Sequence, residues 1–228
     1  MFRPYLAYLA LALTALMAPN NAQAWLWGLF GHRDENWRMM DPDRQTELAA
    51  SLMDKAAERL AEGRLASAYE HYEKVWKQYP GSKFAPEAVY QMGRIAVQQQ
   101  KWKRAYTAYL SLIQSYPETE HFNDVISDIF TIAEGYEKGI NIHYLWVIPY
   151  RDNGKAVTVY ESLVSAAPYS DYAAISLIRV AQIHRKGRSN GSAADALDRI
   201  INDYPSSMET PNAMLLMASY LADTVDGP

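Results

Sequence analysis

The sequence predicts an all-α fold, a solenoid of stacked helix–turn–helix units, and three observations carry that prediction. Proline recurs in a constant setting at Pro80, Pro117, Pro168 and Pro205, with spacings of 37, 51 and 37 residues. Counted back from each proline, the same residue types return at the same places. Between the prolines, apolar residues recur in steps of three and four, the period of a helix with one buried face.

The proline register defines each element. Twelve residues before the prolines stand Ala68, Ala105, Ala156 and Ala193, and eight before stand Tyr72, Tyr109, Tyr160 and Leu197. Five before are Val75, Leu112, Leu163 and Ile200; four before are Trp76, Ile113, Val164 and Ile201. Those steps trace one helical face. Each helix ends at its proline, which has no N–H to donate and disfavours helix in the residue before it. A hydroxyl follows two residues on, at Ser82, Thr119, Ser170 and Ser207.

A first helix precedes each of these second helices. Its buried stripe reads Val89, Met92, Gly93 and Ala96 in one unit, Ile126, Ile129, Phe130 and Ala133 in the next, and Leu177, Val180, Ala181 and His184 in the third. Small residues such as Gly93 and Ala181 permit close approach, and Ala105 is expected to meet such a surface within its pair. The units run 46–82, 85–119, 122–170 and 171–207. Asp41-Pro42-Asp43 starts a helix, with proline in the first turn and acids at the positive end of the dipole. Residues 210–222 form the first helix of a fifth unit. Either this helix caps the stack, or the chain continues into a second helix beyond the sequence in hand. The repeat domain therefore spans 46–222, with a tail at 25–45 before it and another at 223–228.

Composition narrows the function classes. The 228 residues are 49% apolar and 21% charged, which is globular usage, and the net charge of −4 lacks the basic footprint that phosphate contacts need, so no nucleic-acid partner is expected. The chain has no cysteine. Disulfides, thiolate metal sites, a cysteine nucleophile and a lipidated N-terminal cysteine are thereby excluded. His32, His71, His121, His143 and His184 are scattered, with no zinc-protease helix, and no nucleophile elbow or phosphate loop occurs. No catalytic constellation, metal or cofactor is expected. The 17 tyrosines fall mostly at repeat positions, which assigns them to packing. Lys101-Trp102-Lys103-Arg104 and residues 184–188 read as basic inter-helix turns, and Asn190-Gly191-Ser192 as the turn inside the fourth unit.

Residues 1–24 read as a secretory signal. Arg3 is followed by 14 uncharged residues, 5–18, about 21 Å of helix against the roughly 30 Å of a bilayer core. Pro19 then breaks the run, and Ala22-Gln23-Ala24 is a cleavage site with Ala22 and Ala24 as its small residues. Trp25, Leu26, Trp27, Leu29 and Phe30 follow. Two readings are open for them: peripheral contact with a membrane interface, or folding back on the first helix.

The 51-residue spacing locates an insertion of 14 residues at 138–151, inside the third unit. It is apolar and aromatic, with Tyr144, Trp146 and Tyr150. Such a loop either packs on the solenoid or forms a contact surface; the favoured reading is a docked loop whose outer edge meets a partner.

Alanine, aromatic, aliphatic and proline in this order resemble the tetratricopeptide repeat, over residues 46–222. The Y-P-x-S-x-x-A-x-x-A wording of residues 79–88 is similar to the periplasmic branch of that family, which includes the outer-membrane assembly component BamD and the Tol-Pal-associated CpoB. No coiled-coil heptads precede the repeats, and the third of about five units is expanded, which is closer to BamD. The missing cysteine departs from the lipoprotein form. The resemblance implies a tetratricopeptide-like α-solenoid whose first helices line a concave face. By correspondence with the family, Tyr90, Arg94, Ser127, Thr131 and Gln182 face that groove, and Glu87 and Asp124 stand near its rim. The implied role is a periplasmic scaffold that binds client peptides or partner subunits of an outer-membrane barrel assembly complex; the alternative is a general adaptor in cell-envelope or division complexes.

Overall fold

A computed structural model describes residues 41–140, 143, 144 and 148–225. The expected signal with Ala22 and Ala24, the segment 25–30 and Trp146 of the insertion lie outside the described residues. Among those described there are nine helices: α1 (Pro42–Ala61), α2 (Leu65–Gln78), α3 (Ala85–Gln98), α4 (Trp102–Ser115), α5 (Phe122–Lys138), α6 (Asn153–Ala166), α7 (Asp171–Lys186), α8 (Asn190–Asp203) and α9 (Thr210–Val225). They form an all-α solenoid of helix–turn–helix repeats. Two short strands, β1 (His143–Tyr144) and β2 (Ile148–Pro149), pair antiparallel within the insertion.

Each helix packs on the next in sequence, and the first helices of units two, three and four also touch in series, α3 on α5 and α5 on α7. The inner row of the solenoid is thus made of first helices. The repeat positions form one continuous core. Ala68, Ala105, Ala156 and Ala193 are buried, as are Tyr72, Tyr109, Tyr160 and Leu197 and the aliphatics Val75, Leu112, Leu163 and Ile200. Of the next aliphatic position, Val164 is buried, while Trp76, Ile113 and Ile201 pack against the core half-buried.

The joints between units are copies of one another. Tyr79, Tyr116, Ala167 and Tyr204 cap α2, α4, α6 and α8 with φ between −128° and −139°, where the following proline drives them out of the helical region. The carbonyl of each cap accepts the N–H of the hydroxyl residue three positions on, at 3.0–3.1 Å. The carbonyls of Ser82, Thr119, Ser170 and Ser207 in turn accept the N–H that opens the next unit. Two linked turns thus set a fixed corner between units.

The joints within units differ from the sequence reading. The helix-to-helix turns pivot on Gly63, Gln100 and Arg188, each 17 residues before its proline and each left-handed, at φ +73°, +53° and +60°. The turn of the fourth unit is therefore 187–189. Asn190-Gly191-Ser192 is the first turn of α8, because α8 begins at Asn190. The basic runs are likewise mostly helical: Trp102, Lys103 and Arg104 open α4, and His184, Arg185 and Lys186 close α7.

Glycines sit where side chains need room. The residue lying on Gly93 is Tyr109, whose ring would overlap any Cβ there, so Gly93 accommodates the tyrosine rather than the expected Ala105. A Cβ on Gly135 would come within 2.6 Å of the Trp102 indole. That indole, buried in unit two, donates Nε1–H to the Ile140 carbonyl at 2.6 Å, so unit two holds the start of the insertion. The two ends of the insertion are drawn together on α5. Gly139 caps the helix in the left-handed region, Ile140 N–H binds the Gly135 carbonyl at 3.0 Å, and Asp152 N–H binds the Tyr136 carbonyl at 3.1 Å. The base of the insertion is docked, while Ile140 and Tyr150 stay exposed.

Candidate functional site

The inner row of first helices encloses an open groove of about 490 Å³, lined by Leu60 of α1, Gln91, Arg94, Ile95, Val97 and Gln98 of α3, and Asp128 of α5. Leu60, Ile95 and Val97 give it an apolar floor. Gln91, Arg94 and Gln98 lie three and four residues apart, which places them on one face of α3.

A hydrogen-bonded wall supports this face. Buried Tyr109, from α4, donates its hydroxyl to Asp128. Burial pushes the Tyr109 phenol far above its ordinary range, and hydrogen bonding to the Asp128 carboxylate pushes it further. Asp128 is itself raised from 3.8, chiefly because burial disfavours its charge, against the lowering effects of Tyr109 and Arg94. Arg94, exposed, sits 5.8 Å over the Tyr90 ring. Tyr90 donates its hydroxyl to Asp124 at 3.0 Å and stacks on His121 with ring centroids 3.8 Å apart and planes 4° from parallel. His121 Nε2 lies 2.5 Å from Glu87, and Gln91 donates to the same carboxylate at 2.7 Å. Three groups here, Glu87, Glu120 and His121, bring one ligand atom each within 4.8 Å of one another. In this arrangement the imidazole, already engaged by Glu87 and Tyr90, clasps unit three to unit two.

The positions named from sequence lie on three successive first helices: Tyr90 and Arg94 on α3, Ser127 and Thr131 on α5, Gln182 on α7. Their roles divide. Arg94 lines the groove, but Tyr90 is buried beneath it and works as a support. Ser127 is half-buried and accepts the Tyr172 hydroxyl at 3.0 Å, which joins α5 to α7. Thr131 is exposed and donates back to the Ser127 carbonyl at 3.2 Å; Gln182 is half-buried. Further along the row, Arg179 reaches Glu134 at 3.5 Å. Of the insertion residues, Tyr144 falls in β1 and Tyr150 is half-exposed just after β2. Of the lining residues, Leu60, Gln91, Ile95, Val97, Gln98 and Asp128 are not among the positions named from sequence. The sequence did hold a signal for three of them: Gln91 and Asp128 stand 11 residues after their prolines and Gln98 stands 18 after, in helical phase with Arg94 at 14.

Residues 59–129 match the family model of the tetratricopeptide repeat. Over that stretch the chain is similar to tetratricopeptide repeats. Among solved structures it is similar to a tetratricopeptide repeat protein from Parabacteroides merdae, at 17% identity and a TM-score of 0.44 over 77% of this chain and 60% of that one. It is also similar to MamA 41-end from Desulfovibrio magneticus RS-1, at 15% identity and a TM-score of 0.39 over 78% of this chain and 93% of that one. A MamA RS-1 double mutant gives 16% and 0.41, over 78% of this chain and 85% of that one. The chain spans 60% of the length of the Parabacteroides protein. No curated protein matches.

Proposed function

We propose that the chain is a non-enzymatic periplasmic scaffold, similar to BamD, that holds an extended client peptide or partner-subunit segment in the groove of α1, α3 and α5 during outer-membrane protein assembly. The observation that carries the proposal is the groove itself. It is open, it has an apolar floor, and Arg94, Gln91 and Gln98 form a polar stripe along one wall. Side-chain amides suit main-chain hydrogen bonding to an extended peptide, and Arg94 suits an acidic side chain or terminal carboxylate. The Glu87–His121–Tyr90 clasp and the Tyr109–Asp128 bond fix the wall before the ligand arrives, which lowers the ordering cost of binding.

The periplasmic address rests on the signal-like residues 1–24, and the outer-membrane role on the resemblance of the proline-centred wording. No described helix is long and apolar enough to cross a membrane. Residues 25–30 would provide peripheral membrane contact, and the exposed edge of the insertion at Tyr150 a second partner contact.

Co-purification from envelope extracts tests the assignment. The wild-type chain is expected to capture the outer-membrane insertion barrel, and Arg94→Glu to lose it while retaining the same helical signal and melting temperature. Capture of division or other envelope proteins without the barrel would replace the assembly role by that of a general envelope adaptor.

A further inference from the structure

The corner between units two and three carries a ring nitrogen and two acids that packing alone does not require. Four residues after the prolines stand Phe84, His121, Tyr172 and Glu209. Phe84 and Tyr172 pack half-buried against the core, so a plain ring satisfies packing at this position. His121 keeps a ring there, stacked on Tyr90 at 3.8 Å, and adds a nitrogen donor. Its Nε2 faces two carboxylates, Glu87 Oε2 at 2.5 Å and Glu120 Oε1 at 3.8 Å. Among the described residues, no other three histidine or acidic side chains converge in this way.

Two of the donors are held from behind. The corner fixes the backbone of His121: Thr119 N–H binds the Tyr116 carbonyl at 3.1 Å, and Phe122 N–H binds the Thr119 carbonyl at 3.3 Å. Parallel stacking on Tyr90, itself tied to Asp124 at 3.0 Å, sets the plane of the imidazole. Glu87 Oε1 accepts from Gln91 at 2.7 Å, which leaves Oε2 turned to the ring. The third donor is free to move. The Glu120 side chain is 88% exposed and can swing onto an ion without disturbing any packing.

The donor set selects the ligand. With its proton on Nδ1, a neutral imidazole offers the Nε2 lone pair beside two anionic oxygens. Two carboxylates and a neutral nitrogen balance the charge of one divalent cation. Zinc binds such donors at about 2.0–2.2 Å in a tetrahedron, which sets them roughly 3.3–3.5 Å apart. The two separations from Nε2, 2.5 and 3.8 Å, lie on either side of that spacing, so small side-chain shifts admit the ion. Water takes the fourth position on the solvent side, beside Glu120. The imidazole favours zinc over magnesium and calcium, which take oxygen ligands.

We propose that Glu87, Glu120 and His121 form a zinc-type divalent metal site that ties the corner of unit three to the first turn of α3. The sequence conceals it, because Glu87 and His121 stand 34 residues apart. The site does not depend on what the groove holds, although Gln91 connects the two.

The test is titration calorimetry of zinc into the whole chain, stripped with chelator and free of any histidine tag. One ion per chain is expected, with a dissociation constant of about 10 μM or tighter, and zinc should raise the melting temperature. Glu120→Gln should weaken binding about tenfold or more. It should leave the zinc-free melting temperature unchanged, because that side chain is exposed. His121→Phe, which keeps a ring as Phe84 does, should abolish binding. Glu118→Gln, exposed in the same corner, should leave binding as it is. A wild-type chain that binds no zinc in the micromolar range overturns the proposal and leaves the three groups as an ion-paired clasp. Binding that survives either Glu120→Gln or His121→Phe overturns it as well, because the ion then lies elsewhere.

Discussion

The junction of units two and three and the outer face of α9 use the same repeat positions, yet one is sealed and the other open. At the junction, Tyr109 fills the space left by Gly93 and gives its hydroxyl to Asp128, Trp102 lies on Gly135, and Tyr90 stacks on His121. On α9, the equivalents of Val89 and Tyr90 are Met214 and Leu215, both exposed. The difference teaches that an apolar residue at a repeat position is buried by its neighbours and not by its own helix. A solenoid unit has no complete core of its own, so whatever stacks on it supplies the missing half.

The sharpest way to break the comparison is at the junction. Tyr109→Ala is expected to cost about 3–5 kcal/mol, through the cavity left by the ring and the loss of the partner of Asp128. Chemical denaturation measures it directly, and a cost below about 1 kcal/mol would remove Tyr109 from the core.

A paired substitution at one repeat position sharpens the comparison. Ile126→Ala should cost about 2–5 kcal/mol, because its side chain is fully enclosed. Met214→Ala, at a side chain that is half exposed, should cost no more than about 0.5 kcal/mol. Equal losses at the two positions would mean that α9 is covered within a single chain.

The smallest effect concerns the wall of the groove. Burial raises Asp128 above 3.8, so in the folded chain the carboxyl holds its proton to higher pH than in the unfolded chain. The unfolded state then releases its proton first. This contribution to stability is present below 3.8 and is lost as pH rises through the folded value. Asp128→Asn removes that dependence while keeping an acceptor for Tyr109. Its stability relative to wild type should therefore improve between about pH 3 and pH 7. A relative stability that worsens over that interval would show that the native site favours the charged carboxylate.

Much of the architecture was legible because it rests on local chemistry. Proline stops a helix wherever it stands, so four prolines gave the four corners, and the 51-residue gap gave the insertion. The turns inside the units were less legible. Gly63 announces a left-handed residue, but Gln100 and Arg188 adopt the same conformation without the residue type that favours it. The residue types therefore point to Asn190-Gly191-Ser192 as the turn of unit four, whereas the chain turns at Arg188. The groove was half legible. The repeat phase places Arg94 in the groove, but it does not tell that Tyr90 is buried, because that burial comes from His121 and the start of unit three. The bond from Tyr109 to Asp128 had a weak signal: a tyrosine in a core needs an acceptor on a facing helix. Which acid supplies it depends on how two units stack, and no local pattern encodes that.

The central claim is that partners bind along the first helices. Site-specific photo-crosslinking from position 98, in the groove, and from position 107, on the outer helix α4, tests it most directly in intact cells. The account predicts adducts with an envelope partner from position 98 and none from position 107. Adducts of equal yield from both positions, or from position 107 alone, would contradict it.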